Sequence, residues 1–223
     1  MIDSQTTKGC SVLERVVKSG IAAVLVIDEL DAAVPVAEAL IEGGITAIEL
    51  ALRTPQGLDA IAAIKREIPE MVVIAGTVLT PDQIGQAKDA GADLAVAPGL
   101  NPRVIEAAHD LGMLFMPGIC TPSDIEKAVE MGCRLLKFFP AEPSGGVKYL
   151  KSVSAPYNHL DLHYMPLGGL SESNFMSYFS LPSVFAIGGS WIATRDLIAK
   201  RDWSEIQRRA HNACTIRQSA VCR

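Results

Sequence analysis

The sequence predicts an α/β fold, the (β/α)8 TIM barrel, formed by a single domain over residues 1–223 with one N-terminal helix ahead of the barrel. Eight short apolar runs alternate with longer segments whose apolar residues recur at every third or fourth position. The short runs are almost continuously apolar, which is typical of strands buried on both faces of a parallel sheet. No linker or low-complexity tract interrupts the 223 residues, so one domain is expected.

Each element of this barrel has its own signal in the sequence. A first helix is expected over residues 11–18, and the eight strands are predicted at residues 21–27, 45–50, 71–75, 94–97, 114–116, 135–139, 163–166 and 184–187. Helix starts are indicated by capping side chains at Asp31 and, directly before a proline, at Thr80, Asn101 and Thr121. Four helices are expected to end where a left-handed glycine is favoured, at Gly43, Gly91, Gly112 and Gly132. A closing helix is predicted from residue 203 to about residue 218.

A doubly wound open sheet is the alternative architecture for alternating strands and helices. A dinucleotide-binding sheet of that kind carries a GxGxxG motif directly after its first strand. Here the first predicted strand ends at Ile27 and is followed by Asp28 and Glu29, with no glycine among them. The barrel is therefore the favoured architecture.

Composition excludes several classes of partner. The net charge is −5, from 20 basic and 25 acidic residues without a basic run, so no nucleic-acid partner is expected. Five scattered cysteines, at positions 10, 120, 133, 214 and 222, form no CxxC pair, which predicts reduced thiols, no metal site and a cytoplasmic location. The first ten residues lack the layout of a signal peptide. Residues 173–194 are uncharged but contain a proline and a glycine pair, so no membrane association is expected.

Lys137 is the sharpest catalytic candidate, because it interrupts the apolar run of the sixth predicted strand. Active sites of TIM barrels are built at the carboxyl ends of the strands. Desolvation disfavours the charged form of an amine, so a lysine in a dry pocket can attack a ketone and form a Schiff base. The alternative is a lysine whose stem lies on apolar surface while its ammonium group reaches water. The residues alone leave both interpretations open.

Polar side chains also mark the ends of the second and third predicted strands. Glu49 interrupts the second strand, Arg53 lies in the loop after it, and Gly76 and Thr77 end the third. A carboxyl group at such a place can act as general acid and base, and an arginine can hold a substrate carboxylate through two hydrogen bonds. A salt bridge that only holds the barrel together is the alternative for Glu49 and Arg53.

Two glycine pairs predict an anion site. Gly168-Gly169 follows the seventh predicted strand, and Gly188-Gly189 follows the eighth and leads through Ser190 into a helix-like segment. Phosphate sites in TIM barrels are frequently built from these two loops. Bare backbone N–H groups and a helix N-terminus can hold a dianion without cationic side chains.

Six segments together resemble the family of 2-keto-3-deoxy-6-phosphogluconate (KDPG) aldolase and 4-hydroxy-2-oxoglutarate (KHG) aldolase. They are ELALRTP at 49–55, AGTVL at 75–79, PG at 98–99, PGI at 117–119, KFFPAE at 137–142 and GGSW at 188–191. The resemblance spans about residues 15–215, and KFFPAE followed by GGVK is its most specific part.

The resemblance implies a class I aldolase, a homotrimer without metal or cofactor, whose substrate is a phosphorylated keto acid. Such an enzyme cleaves KDPG into pyruvate and glyceraldehyde 3-phosphate. By position, Lys137 forms the Schiff base and Glu49 is the acid and base, acting through a water. The carried-over binding residues are Arg53 and Thr77 for the pyruvate carboxylate, Pro98 and Phe139 around the pocket, and Gly168, Gly169, Gly189 and Ser190 for the phosphate.

The chain departs from the family pattern at Leu167, where the usual Pro-Thr-Gly-Gly reads Pro-Leu-Gly-Gly. An apolar group thus replaces a hydroxyl close to the substrate chain. This leaves KHG and the 6-phosphogalactonate isomer of KDPG open as substrates. From other classes, a phosphate-binding barrel isomerase or synthase and a non-catalytic binding barrel remain as alternatives.

Overall fold

The computed structural model describes residues 7–221, which contain ten α-helices and nine strands. The helices are α1 Thr7–Ser19, α2 Ala33–Glu42, α3 Gly57–Glu67, α4 Pro81–Asp89, α5 Pro102–Asp110, α6 Pro122–Glu130, α7 Gly146–Ser154, α8 Phe175–Tyr178, α9 Arg195–Ala199 and α10 Trp203–Val221. The strands are β1 Ile21–Leu25, β2 Ala47–Ala51, β3 Val72–Gly76, β4 Leu94–Val96, β5 Phe115–Met116, β6 Gly118–Ile119, β7 Leu135–Phe138, β8 His163–Pro166 and β9 Ile187–Gly189. Two 3-10 helices, Leu30–Ala32 and Ala155–Leu160, complete the set.

The nine strands close into one parallel barrel. One sheet has the order β5-β4-β3-β2-β1-β9 and a second has the order β6-β7-β8. β5 and β6 are two halves of a single barrel strand that is interrupted at Pro117, since proline has no N–H to donate. On the other side, a parallel bridge between Leu167 and Gly188 joins β8 to β9. The ring therefore has eight strands, and the predicted TIM barrel is confirmed.

Alternation along the strands separates the barrel interior from the layer beneath the helices. Ala47 and Val72 pack inside the barrel with Val12 and Val16 of α1, whereas Ile48 of the same strand as Ala47 packs outward in the larger core. The interior partners of α1 lie at the amino ends of the strands, so α1 closes that end of the barrel. The carboxyl ends are left for the site.

Three of the predicted helix starts are confirmed. The hydroxyl of Thr121 accepts a hydrogen bond from the Asp124 N–H, and the Asn101 side chain accepts one from the Arg103 N–H at 3.1 Å. Thr80 forms the same kind of capping box with Gln83. These caps satisfy N–H groups that the first helical turn leaves without partners. Asp31, by contrast, lies inside the 3-10 helix that precedes α2 and caps nothing.

Two further details of the sequence prediction are wrong. The last barrel strand is Ile187–Gly189 rather than 184–187, because Gly188 and Gly189 pair with β1 instead of forming a loop. Gly43 has φ −77°, and the left-handed residue after α2 is Gly44 at φ +92°. Gly43 is small for another reason, since a Cβ there would overlap the side chain of Ala210 in α10.

Three of the five cysteines have thiols that the structure describes. Cys120, Cys133 and Cys214 are free, and burial raises the pKa of the Cys133 thiol to about 11. Cys222 and the side chain of Cys10 lie outside the described part of the chain.

Gly20 joins α1 to β1 and is held beneath a cation from the far end of the chain. Its φ of +64° is a left-handed conformation that favours glycine. The Arg217 guanidinium occupies the place that a Cβ would take, and donates to the carbonyls of Val17 and Lys18 at 3.2 Å each. α10 thereby caps the carboxyl end of α1.

We expect Gly20→Ala to lower the free energy of unfolding by about 2–3 kcal/mol. Left-handed strain contributes about 1–2 kcal/mol, and the displaced hydrogen bonds of Arg217 contribute about 1 kcal/mol. Gly112→Ala is the matched control, because Gly112 has φ +60° but no atom within 4 Å of an added Cβ. Urea unfolding of both variants measures the difference. Equal losses would show that Arg217 adds nothing beyond the backbone strain.

Candidate active site

Lys137 and Glu49 meet inside the barrel. The Lys137 Nζ lies 2.8 Å from Glu49 Oε1 and 3.1 Å from Oε2, although the two residues are 88 positions apart. Lys137 is 4% exposed and Glu49 is 2% exposed, and among the side chains that the structure describes they are the only buried charged ones. A buried pair of opposite charges needs good hydrogen-bond geometry to be tolerated. At this separation the amine and the carboxylate can exchange a proton directly.

Strand alternation accounts for this meeting. Glu49 follows Ala47 on the interior face of β2, and Lys137 lies between Leu135 and Phe139 on the interior face of the β7 segment. The Nζ of Lys137 also lies 5.4 Å from the centroid of the Phe139 ring, within reach of a cation–π interaction. The lysine therefore has one charged and one aromatic neighbour, and its stem does not lead to solvent.

Gly76 leaves the space that Glu49 occupies. A Cβ at Gly76 would lie 2.5 Å from Glu49 Oε1 and 2.6 Å from its Cγ. Such distances are too short for any side chain, so the carboxylate is seated against the bare backbone of β3. The glycine that the sequence placed at this strand end is thus needed for close approach.

We expect Gly76→Ala to reduce any catalytic activity of the Lys137–Glu49 pair about a hundredfold by displacing the Glu49 carboxylate from Lys137. Overpacking at this buried position is also expected to lower the free energy of unfolding by about 1–3 kcal/mol. Gly85→Ala in α4 is the control, because its added Cβ lies 3.9 Å from the nearest atom. Activity assays and urea unfolding on both variants check this. Full activity in Gly76→Ala would show that the position of Glu49 is unimportant.

Arg53 is an unpaired cation in the loop after β2. The guanidinium is exposed and, within residues 7–221, forms no hydrogen bond or ion pair. The loop itself is anchored, because the hydroxyl of the next residue, Thr54, donates to the carbonyl of Ile27 at 2.5 Å. An anchored cation without a protein partner is available to an anionic ligand.

Thr77 has φ +59°, a left-handed conformation that is unusual for a β-branched residue. It directly follows Gly76 at the carboxyl end of β3 and is half-buried. Strained backbone of this kind persists where the surrounding structure over-determines it, and it clusters at functional sites. The threonine that the sequence analysis named is therefore held in an unusual orientation at this strand end.

Pro98, which follows β4, and Phe139, which follows β7, are both half-buried at carboxyl ends of strands. The backbone of Pro98 approaches Gly118 so closely that a Cβ on that glycine would overlap the Pro98 carbonyl. The ring of Phe139 packs against Gly168, and a Cβ on that glycine would lie 3.0 Å from Phe139 Cε2. Phe139 thus connects the lysine to the first glycine pair.

The loop after β8 contains the Gly168-Gly169 turn, with φ of +96° and +83°. Among the described residues, the backbone N–H groups of Gly168, Gly169 and Ser190 donate no hydrogen bond. Free N–H groups at a turn form a concavity for anions. The expected helix N-terminus after Ser190 is wrong in detail, since α9 begins only at Arg195 and has five residues.

Gly189 lies in β9 beneath the ring of Trp191, where a Cβ would overlap that ring. Leu167 is 3% exposed and packs with the side chains inside the barrel. Its side chain occupies the place that a Cβ on Gly188 would take. The residue that departs from the family pattern therefore faces the barrel interior, on the same face as the site.

Glu142 and Tyr178 are two further polar residues near the site for which the sequence predicts no role. The buried hydroxyl of Tyr178 donates to Glu142 Oε1, directly behind the Gly168-Gly169 turn. Only the position of Glu142, next to a strand end and within the KFFPAE run, could have drawn attention to it.

Within residues 7–221, no group of three or more His, Cys, Asp or Glu side chains is arranged to hold a metal ion. No helix in the same part of the chain is both long and apolar enough to span a membrane.

Comparison with known proteins decides the family. A family model described as KDPG and KHG aldolase matches residues 12–209. The chain belongs to this aldolase family. It is 40% identical over 190 residues to the KHG/KDPG aldolase of Escherichia coli strain K12. The matched residues cover 85% of this chain and 88% of that protein.

Two solved structures of aldolases are also similar to this chain. A KDPG aldolase from Legionella pneumophila, with pyruvate captured at low pH as a covalent carbinolamine intermediate, has a TM-score of 0.85 and 33% identity over 94% of this chain and 98% of its own. The 2-keto-3-deoxy-6-phosphogluconate aldolase of Zymomonas mobilis ZM4, with 3-phosphoglycerate, has a TM-score of 0.83 and 35% identity over 92% and 94%. The resemblance seen in the sequence motifs is confirmed.

Proposed function

We propose that this chain is a class I aldolase that cleaves KDPG into pyruvate and glyceraldehyde 3-phosphate, a carbon–carbon lyase reaction of Entner–Doudoroff-type carbohydrate catabolism. The observation that carries the proposal is the buried pair of Lys137 and Glu49, 2.8 Å apart on the interior face of the barrel. A purely structural pair would not require an unpaired Arg53, a strained Thr77 and a turn with free N–H groups at the neighbouring strand ends.

In the first step, the Lys137 amine adds to the C2 ketone of the substrate and forms a carbinolamine. Glu49 donates a proton to the C2 hydroxyl, which leaves as water and produces the protonated imine. The Legionella pneumophila relative held pyruvate as a covalent carbinolamine, the intermediate of this same addition. The contact between Glu49 and the Lys137 Nζ supports this role.

In the second step, the C4 hydroxyl loses a proton to the Glu49 carboxylate and the C3–C4 bond breaks. Its electron pair moves into the protonated imine and produces an enamine, while glyceraldehyde 3-phosphate departs. Protonation of the enamine at C3 and attack by water then release pyruvate and restore the amine. The imine supplies the electron sink, so neither metal nor cofactor is part of the proposed cycle.

The proposed binding roles are those that the family resemblance implies, and the positions of the remaining site residues support them. We assign the pyruvate carboxylate to Arg53 and Thr77, and the walls of the pocket to Pro98 and Phe139. The phosphate is assigned to the free N–H groups of Gly168, Gly169 and Ser190. Gly189, which pairs with β1, is assigned to the same site as a residue without a side chain beside them. The Zymomonas mobilis relative was solved with 3-phosphoglycerate, a ligand that also combines a carboxylate with a phosphate.

Borohydride reduction in the presence of pyruvate tests the chemistry. We expect a stable covalent adduct that peptide mass spectrometry locates at Lys137, because borohydride reduces a Schiff base to an amine. Turnover is measured by release of pyruvate from KDPG, from its 6-phosphogalactonate isomer and from KHG. An isomerase, a synthase or a binding barrel would give no adduct, whereas an adduct with faster cleavage of KHG would transfer the assignment to that substrate.

Leu167→Thr is expected to raise the ratio of kcat/KM for KDPG over KHG about fivefold, the effect of one added hydrogen bond to the longer hydroxylated chain. The measurement is pyruvate release from both substrates. Leu162→Thr is the control, since Leu162 is similarly buried but packs outside the barrel. Both substitutions replace a buried leucine by threonine and lose similar apolar burial. A difference between the two variants therefore reports the position of residue 167 inside the barrel. An unchanged ratio would place Leu167 outside the contacts that select the substrate.

Two properties are carried over from the family resemblance and the composition as proposals. We propose a homotrimer, which sedimentation of the purified protein measures. We also propose a cytoplasmic location, which microscopy of the tagged chain in cells tests.

A further inference from the structure

Glu142 is joined to the Gly168-Gly169 turn by backbone and side chain. Its N–H donates to the carbonyl of Gly168 at 3.0 Å, and its Cβ lies 2.7 Å from the place of a Cβ on Gly169. The next contact lies behind it, where the hydroxyl of Tyr178 in α8 donates to Glu142 Oε1. Tyr178 is completely buried, so a hydroxyl at that place needs an acceptor within the protein.

The turn has fixed carbonyls and free N–H groups. The Gly168 carbonyl accepts from Glu142, and the Gly169 carbonyl accepts from the Asn174 side chain at 3.3 Å. Within the described chain, the N–H groups of both glycines have no acceptor. Such a turn binds an anion only while its two N–H groups converge, and this requires that the carbonyl side be held in place.

The ionisation of Tyr178 fits this arrangement. Burial is the main cause that raises the pKa of its phenol, and the hydrogen bond to Glu142 raises it further. The phenol therefore stays protonated at neutral pH and remains a donor, while Glu142 is the acceptor. The Glu142 carboxylate is therefore held by the Tyr178 hydroxyl, whose side chain is fixed by the surrounding core.

We propose that Glu142 and Tyr178 are positioning residues for the phosphate-binding turn: they hold Gly168 and Gly169 so that their N–H groups converge on the substrate phosphate. This role rests on the proposed aldolase function. Neither residue takes part in the bond changes at Lys137. Their loss is therefore expected to affect the phosphorylated end of the substrate and to leave the Schiff base unchanged.

The test compares three variants in two assays on the full-length protein. We expect Glu142→Ala and Tyr178→Phe each to raise KM for KDPG and the inhibition constant of inorganic phosphate about tenfold. In both variants the Glu142 backbone, which holds the Gly168 carbonyl, loses its side-chain anchor to α8. Glu142→Gln keeps an acceptor for Tyr178 and is expected to stay within about twofold of the wild type. In all three, kcat and borohydride trapping of pyruvate at Lys137 are expected to change by less than about twofold.

Tyr157→Phe is the matched control, because the Tyr157 hydroxyl donates to Glu126 Oε1 at 2.9 Å on the outer layer of the barrel. It removes the same kind of hydrogen bond and is expected to leave all constants unchanged. The proposal is overturned if Glu142→Ala leaves KM unchanged, if Glu142→Gln behaves like Glu142→Ala, or if trapping of pyruvate falls together with phosphate affinity. Absence of trapping in the wild type would instead overturn the aldolase function itself.

Discussion

Lys137→Met abolishes the covalent adduct with pyruvate and lowers kcat/KM for KDPG by on the order of a millionfold, the expected loss when a covalent nucleophile is removed. Methionine has similar length and no amine, so the pocket stays filled while the Schiff base cannot form. Borohydride trapping followed by mass spectrometry measures the first effect, and pyruvate release measures the second. An adduct that persists at another lysine would move the catalytic assignment there.

The same substitution leaves the Glu49 carboxylate buried without its partner. Removing one member of a buried ion pair costs about 3–5 kcal/mol of stability, whereas removing both charges is often neutral. We therefore expect the double variant Lys137→Met/Glu49→Gln to be more stable than Lys137→Met alone in urea unfolding. Activity stays absent in both. Recovery of stability without recovery of activity separates the chemical role of Lys137 from its role in holding Glu49.

The sequence was sufficient to single out Lys137 and Glu49 as candidates, but not to predict that the two side chains are in contact. Lys137 and Glu49 are recognisable because each interrupts an apolar run, and alternation on a strand predicts which face each occupies. The distance of 2.8 Å depends on how far β2 and β7 are offset around the barrel. That offset comes from packing of all eight strands, which no single segment of the sequence encodes.

Two errors of the sequence prediction, at Gly43 and at Gly188, share one physical cause. Glycine was interpreted through its backbone freedom, whereas Gly43 and Gly188 are small because Ala210 and Leu167 occupy the space of their missing side chains. The neighbour that requires such a glycine is distant in sequence. The contact between Glu142 and Tyr178 was missed for the same reason, since 36 residues separate a carboxylate and a phenol that carry no local signal.

Glu49→Gln has the second largest expected effect, a fall in kcat of about 10²- to 10⁴-fold, the usual contribution of a general acid and base. The amide oxygen of glutamine can still accept a hydrogen bond from the Lys137 Nζ, so the pair keeps its spacing while it can no longer transfer a proton. Exchange of the C3 protons of pyruvate with deuterium, followed by NMR, measures proton transfer alone. This exchange needs neither phosphate nor cleavage of a carbon–carbon bond.

Comparison of Glu49→Gln with Gly76→Ala distinguishes two roles of Glu49, proton transfer and the positioning of Lys137. If Glu49 transfers protons, Glu49→Gln slows deuterium exchange strongly although its geometry is kept, and Gly76→Ala slows it by displacing an intact carboxylate that lies 2.5 Å from the added Cβ. If Glu49 only holds Lys137 in place, Glu49→Gln exchanges within a few-fold of the wild type, and only Gly76→Ala is impaired. The first pattern supports a catalytic carboxylate, because removing a proton donor and moving it then have the same consequence.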